Sequence, residues 1–121
     1  MQIAQKNFYK KFLGRIGENK ATNYLKKNGY KILEKNFKTH LGEIDIIAED
    51  GDTLVFVEVK TRTDDSFGAP SEAVDKRKQA KYYKVAEEYI IRHKRTENIC
   101  RFDVVEIENE QINIIKDAFS M

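Results

Sequence analysis

Cysteine, proline and tryptophan are nearly missing from this chain: one Cys, one Pro and no Trp in 121 residues. With Cys100 alone no intrachain disulfide can form, so a core must hold the fold, and the reading is a reduced, cytoplasmic chain. One Pro and six Gly leave no material for a Pro/Gly-rich linker or a low-complexity segment. Mean hydropathy is -0.65 and no apolar run approaches the roughly 20 residues of a membrane-spanning helix, so no membrane partner is expected. Met1 to Lys6 contains no apolar stretch of the kind a secretory signal needs. A phosphate-cradling glycine loop, a Ser/His/Asp arrangement, zinc-ligand spacing and internal repeats are also missing.

What is there is charge, and it is partitioned. Residues 1–38 carry ten Lys/Arg against two Asp/Glu, residues 39–59 none against six, and residues 71–95 eight against four. A small acidic block between basic ones suits a cation site flanked by polyanion-binding surfaces, although solvated faces explain most charge runs. At 121 residues the expectation is one domain over 1–121.

Apolar spacing predicts a helix over 6–28, ended by Asn28-Gly29. Strands are expected at 30–37, 42–48 and 53–61, then a loop over 62–70. Ser71 is the expected N-cap of a second helix reaching about Lys94. Strands at 99–107 and 111–116 complete an order α-β-β-β-α-β-β. The expected class is α/β or α+β, a mixed β-sheet flanked by helices.

The sharpest feature is a carboxylate–carboxylate–lysine set in the second and third strands. Glu58 and Lys60 are two apart, so they share a face. With Asp50-Gly51 as the hairpin turn, Asp45 opposes Phe56 and is diagonal to Glu58; with Gly51-Asp52, Asp45 opposes Glu58 directly. Both registers bring the carboxylates together, and a one-residue slip would bring Ile44 instead. Ile44, Ile46, Val55, Val57 and Val59 are expected on one buried face, with Leu54, Phe56 and Ile47 on the face of the charged pair. Charges continuing so apolar a strand are costly, and two close carboxylates resist ionising together. A hard divalent cation, Mg²⁺ or Mn²⁺, would relieve both, held by Asp45, Glu58 and a backbone carbonyl such as that of Val59. Lys60 would then polarise the attacking water or stabilise charge on a phosphodiester. A cross-strand salt bridge is the plainer alternative.

Gly42-Glu43-Ile44-Asp45 followed by Val57-Glu58-Val59-Lys60-Thr61-Arg62 resembles the PD-(D/E)xK nuclease superfamily. More closely, residues 14 to 119, including Gly14-Arg15-x-Gly17-Glu18 and Arg101-Phe102-Asp103-Val104-Val105, look like the YraN-like family of small bacterial proteins. The resemblance implies a restriction-endonuclease-like core similar to the archaeal Holliday-junction resolvases. It also implies Asp45 and Glu58 as metal ligands and Lys60 as the catalytic lysine. Ile44 stands where the superfamily pattern has Pro.

Gly14 and Gly17 each cost a helix about 1 kcal/mol against Ala. Together they suggest close approach of the helix to the sheet, with Glu18 aimed into the site; pairing of Glu18 with Lys11 or Arg15 is equally compatible. Lys78, Gln79, Lys81, Arg62 and Arg15 are the candidate nucleic-acid contacts, with Thr61, Thr63 and Ser66 following the site. Gln79 and Tyr83 have a spacing similar to a glutamine–tyrosine motif of some superfamily nucleases, though a helix-edge contact serves as well. His40 and His93 have no partner at ligand spacing, and Cys100 reads as a small buried hydrophobe.

The leading expectation is a metal-dependent nuclease acting on nucleic acid, with DNA the expected substrate. A binding module that keeps the fold without cleaving is second, and an interaction domain is third. A homodimer is expected if the substrate is a symmetric branched junction.

Overall fold

The computed structural model describes residues 3–62 and 76–120, with side chains from 11 onward. Two helices and five strands follow the expected order: α1 (Ile3–Lys27), β1 (Lys31–Thr39), β2 (Gly42–Asp50), β3 (Thr53–Arg62), α2 (Lys76–Arg92), β4 (Ile99–Glu108) and β5 (Gln111–Phe119). The strands form one mixed sheet in sequence order, β1-β2-β3-β4-β5. Every pairing is antiparallel except β3 with β4, whose parallel ladder runs from Thr53/Ile99 to Arg62/Glu108. The Ser71 cap, the loop beyond Arg62, Thr63 and Ser66 lie outside the described residues.

Apolar side chains on the two faces of the sheet make two cores. On one face α2 contributes Tyr82, Val85, Ala86 and Tyr89 against Phe37, Ile44, Ile47, Leu54, Phe56 and Phe102. On the other, α1 contributes Ala21 and Leu25 against Ile46, Ala48, Val55, Val57, Val105 and Ile107. β3 therefore alternates between two apolar layers rather than between core and water, which explains its near-continuous hydrophobic run.

Gly51-Asp52 is the turn of the β2–β3 hairpin, because Asp50 pairs with Thr53 and Glu49 with Leu54. Gly51 takes the first central position with φ 60°, which a Gly accepts without Cβ strain.

One expectation about the faces fails. Ile44 does not share a face with Ile46; it packs with Phe37 and Ile47 under α2, while Ile46 packs under α1. The change of face coincides with an unusual backbone residue across the β1–β2 pair. Phe37 pairs with Ile44 and Lys35 with Ile46, and between them Asn36 adopts φ 55°. That left-handed residue stands across from Asp45, where the two-residue alternation of β2 breaks.

Candidate functional site

The structure brings Asp45 and Glu58 to one place. The β2–β3 ladder runs as far as Ile46/Val57, and its next step would set Asp45 against Glu58. There the strands stop exchanging main-chain bonds in the regular way. Val59 N–H donates to Asp45 Oδ2 at 2.8 Å instead. The Asp45 carboxylate thus stands in the fork of the hairpin.

Glu58 follows the even positions of β3 onto the α2 face and is 5% exposed. Its Oε1 accepts from Lys78 Nζ at 2.8 Å, and Lys60 Nζ lies 3.9 Å from the same oxygen. Its Oε2 is buried with no hydrogen-bond partner among the described residues. Asp45 is pushed up to about 7, first by burial and then by the charge of Glu58. Glu18 and Glu43 add to that upward push. Lys60 is lowered, by burial and then by the charge of Lys78. Burial also pulls Lys78 down, but its hydrogen bond and charge interaction with Glu58 win, and its net shift is upward.

Gly42, Glu43, Asp45, Glu58, Arg77, Lys78, Lys81 and Tyr82 line an open cleft of about 610 Å³. Its floor is acidic and its α2 wall is cationic. On the far side Gly17 is buried where α1 meets β3, and a Cβ there would overlap Thr61 Oγ1. The expected close approach is therefore real at Gly17. It is not real at Gly14, where a Cβ would meet open space. Glu18 is half-buried next to this contact.

The remaining expected contacts divide. Lys78 and Lys81 line the cleft. Gln79 is half-buried in the first turn of α2. Arg62, two residues past Lys60, forms an ion pair with Glu106 at 3.8 Å. Arg15 is exposed on α1 and does not line the cleft. Cys100 is exposed rather than buried, near the start of β4. His93 stacks on Tyr89, with ring centroids 4.0 Å apart, and Nδ1 lies 3.0 Å from the Tyr89 carbonyl oxygen. Sequence reasoning missed Glu43 as a lining residue and Lys78 as the partner of Glu58. No short spacing signals a contact between residues 20 apart on different elements.

A second buried acid in the same sheet sets the scale. Asp103 is wholly buried in β4. Its oxygens accept from Arg101 Nε and a terminal guanidinium nitrogen, both at 2.8 Å, from Tyr30 Oη at 2.9 Å and from the Asp117 amide at 2.9 Å. Arg101 reaches on to Asp50 at 2.8 Å, closing a network that ties β2, β4 and β5 to Tyr30, the residue just before β1. The Tyr30 hydroxyl is raised by burial and by Asp103. Asp103 has the satisfied surroundings of a structural carboxylate, whereas Glu58 keeps one oxygen unpartnered beside a second acid that resists ionising.

Fold and cleft together define a small α+β protein with a carboxylate pair at the fork of its central hairpin. Residues 17–107 match the uncharacterised protein family UPF0102, and the chain belongs to that family. A UPF0102 protein of Caldicellulosiruptor saccharolyticus is 52% identical over 116 residues, covering 91% of this chain and 98% of the relative. One of Clostridium tetani is 47% identical over 121 residues, with 95% and 99% covered. A third, of Persephonella marina, is 44% identical over 108 residues, with 89% and 93% covered. Among the described residues no helix is long and apolar enough to cross a membrane.

Proposed function

We propose that the chain is a divalent-metal-dependent endonuclease of the PD-(D/E)xK type, hydrolysing phosphodiester bonds of nucleic acid, with DNA as the first substrate to test. One observation carries the reading: Glu58 is buried with an unpartnered oxygen beside Asp45, in a sheet whose other buried carboxylate is fully bonded. That donor set fits a hard cation. Asp45, Glu58 and the Val59 carbonyl would hold Mg²⁺ or Mn²⁺. Such an ion supplies charge compensation for the two acids and activation of water for attack on phosphorus.

The chain's own residues do the rest. The hydrogen bond from Val59 N–H fixes the Asp45 carboxylate. Lys60, on the face of Glu58, donates to the scissile phosphate and stabilises the charge that builds on it during attack. Glu18, from the α1 side, is the available acceptor for a site water. Arg77, Lys78 and Lys81 form the cationic wall along which a phosphate backbone would lie.

A non-catalytic binding module is the second reading. It is favoured by the fact that no three His, Cys, Asp or Glu side chains among the described residues are grouped to hold a metal. Titration calorimetry with Mg²⁺ and Mn²⁺, wild type against Glu58→Ala, separates the readings, followed by metal-dependent cleavage assays on DNA and RNA duplexes, single strands and junctions. Metal binding lost in Glu58→Ala, with cleavage lost alongside, supports the nuclease. Equal binding by both proteins removes the site, and nucleic-acid binding without metal uptake leaves the binding module.

A further inference from the structure

We propose that Lys78 is a built-in counter-ion, which a divalent cation must displace from Glu58, and whose release into the cleft adds a positive charge for a polyanion. The inference rests on the metal reading above and adds a coupling between two ligands. Lys78 comes from α2, across the cleft from the carboxylates, and its ammonium holds Glu58 Oε1 at 2.8 Å. Lys60, on the same strand as Glu58, stays at 3.9 Å from that oxygen. The closer cation is thus the one supplied by another element.

Two features make Lys78 displaceable. Its side chain is 41% exposed, so the stem can swing outward without unpacking the core. Its ammonium also lies 6.0 Å from the centre of the Tyr82 ring, a face that can receive a cation as it leaves. Arg77 and Lys81 line the same wall, so an outward Lys78 joins two other cations. A divalent cation on the unpartnered Oε2 would sit close to the ammonium that holds Oε1 of the same carboxylate, and like charges at that range repel strongly. In the metal-free protein Lys78 neutralises Glu58; in the loaded protein that charge becomes available to phosphate. Linkage makes the effect reciprocal, so the factor by which metal tightens polyanion binding equals the factor by which polyanion tightens metal binding.

The test is calorimetric titration of Mn²⁺ into wild type, Lys78→Met, Lys78→Arg, Lys81→Met and Glu58→Ala, each checked for folding by circular dichroism. Lys78→Met is expected to bind Mn²⁺ about tenfold or more tightly than wild type, with Lys81→Met changing affinity by less than about threefold because its charge acts through water. Lys78→Arg, which keeps the charge and grips a carboxylate with a fork, is expected to bind no better than wild type. Mn²⁺ uptake by Lys78→Met where wild type shows none is a stronger form of the same result. Wild-type binding that vanishes in Glu58→Ala but is unchanged in Lys78→Met overturns the counter-ion role and leaves the metal site standing. Equal gains in Lys78→Met and Lys81→Met also overturn it, since a general field then suffices. No binding by any variant overturns both. The coupling is read by fluorescence anisotropy of a labelled DNA duplex with and without Ca²⁺. The ion is expected to tighten wild type more than Lys78→Met, and equal tightening overturns the release of charge.

Discussion

Two acids on the sheet show how burial alone fails to tell structure from function. Asp103 accepts four hydrogen bonds, so removing its charge strands Arg101 and Tyr30. Asp103→Asn is expected to cost about 3–5 kcal/mol of stability, measured by urea denaturation. Asp45 behaves in the opposite sense. Its folded-state pKa of about 7 lies above its ordinary value of 3.8, so between those values the native chain holds more protons than the unfolded one. Stability of the metal-free protein therefore falls as pH rises from about 4 to about 7. Asp45→Asn keeps an acceptor for Val59 N–H and removes the charge. It should flatten that decline and gain at most about 4 kcal/mol at neutral pH, at 1.36 kcal/mol per pKa unit. Thermal melts in chelator across this range check the sign, and an unchanged slope would mean that Asp45 is not the titrating group.

Among the elements, the β2–β3 hairpin and the α1–β3 contact place the site. Gly17 lets α1 sit against Thr61, with Glu18 half-buried next to that contact. Gly17→Val is expected to destabilise by about 1–3 kcal/mol through overpacking and helix-propensity loss, whereas Gly14→Ala should stabilise by up to about 1 kcal/mol. Chemical denaturation of the two variants reads both signs. Much of this level was legible in the sequence. The element order and the Asp45–Glu58 pairing follow from alternation and the Asp-Gly-Asp turn, because either turn register keeps the acids together. The left-handed backbone of Asn36 was not legible, since a single Asn turns left-handed only where its neighbours oblige it. Nor was the Lys78–Glu58 pair, because it depends on how a helix docks across a parallel connection and not on local spacing. Arg101 and Asp103 stood out as a pattern, but only the packed sheet shows them bonded to Tyr30, Asp50 and Asp117.

Over the whole molecule, the sequence blocks of charge become places. The acidic segment 39–59 supplies the cleft floor, and the basic segment 71–95 supplies its wall. The acidic segment 96–121 makes β4 and β5, which pack under α2 but contribute no residue to the cleft lining. Polyanion binding should therefore use one side of the sheet. Arg77→Gln combined with Lys81→Gln is expected to weaken duplex binding alike across sequences and to reduce the log–log salt slope by about 2, near 0.9 for each lost phosphate contact. An unchanged slope would move the interface to another surface.

The single parallel ladder between β3 and β4 divides the sheet into two pieces. β1, β2 and β3 form a meander of short connections, and β4 with β5 form a hairpin; each piece is local in sequence. The seam between them joins residues far apart along the chain, Thr53 to Ile99 at one end and Arg62 to Glu108 at the other. Closing so long a loop carries an entropic cost that no local contact offsets in advance. The sequence-distant contacts of the sheet are therefore concentrated at this one seam. Glu58 lies on that seam opposite Val104, so burial of the acid at the centre of the cleft depends on the most sequence-distant pairing in the sheet.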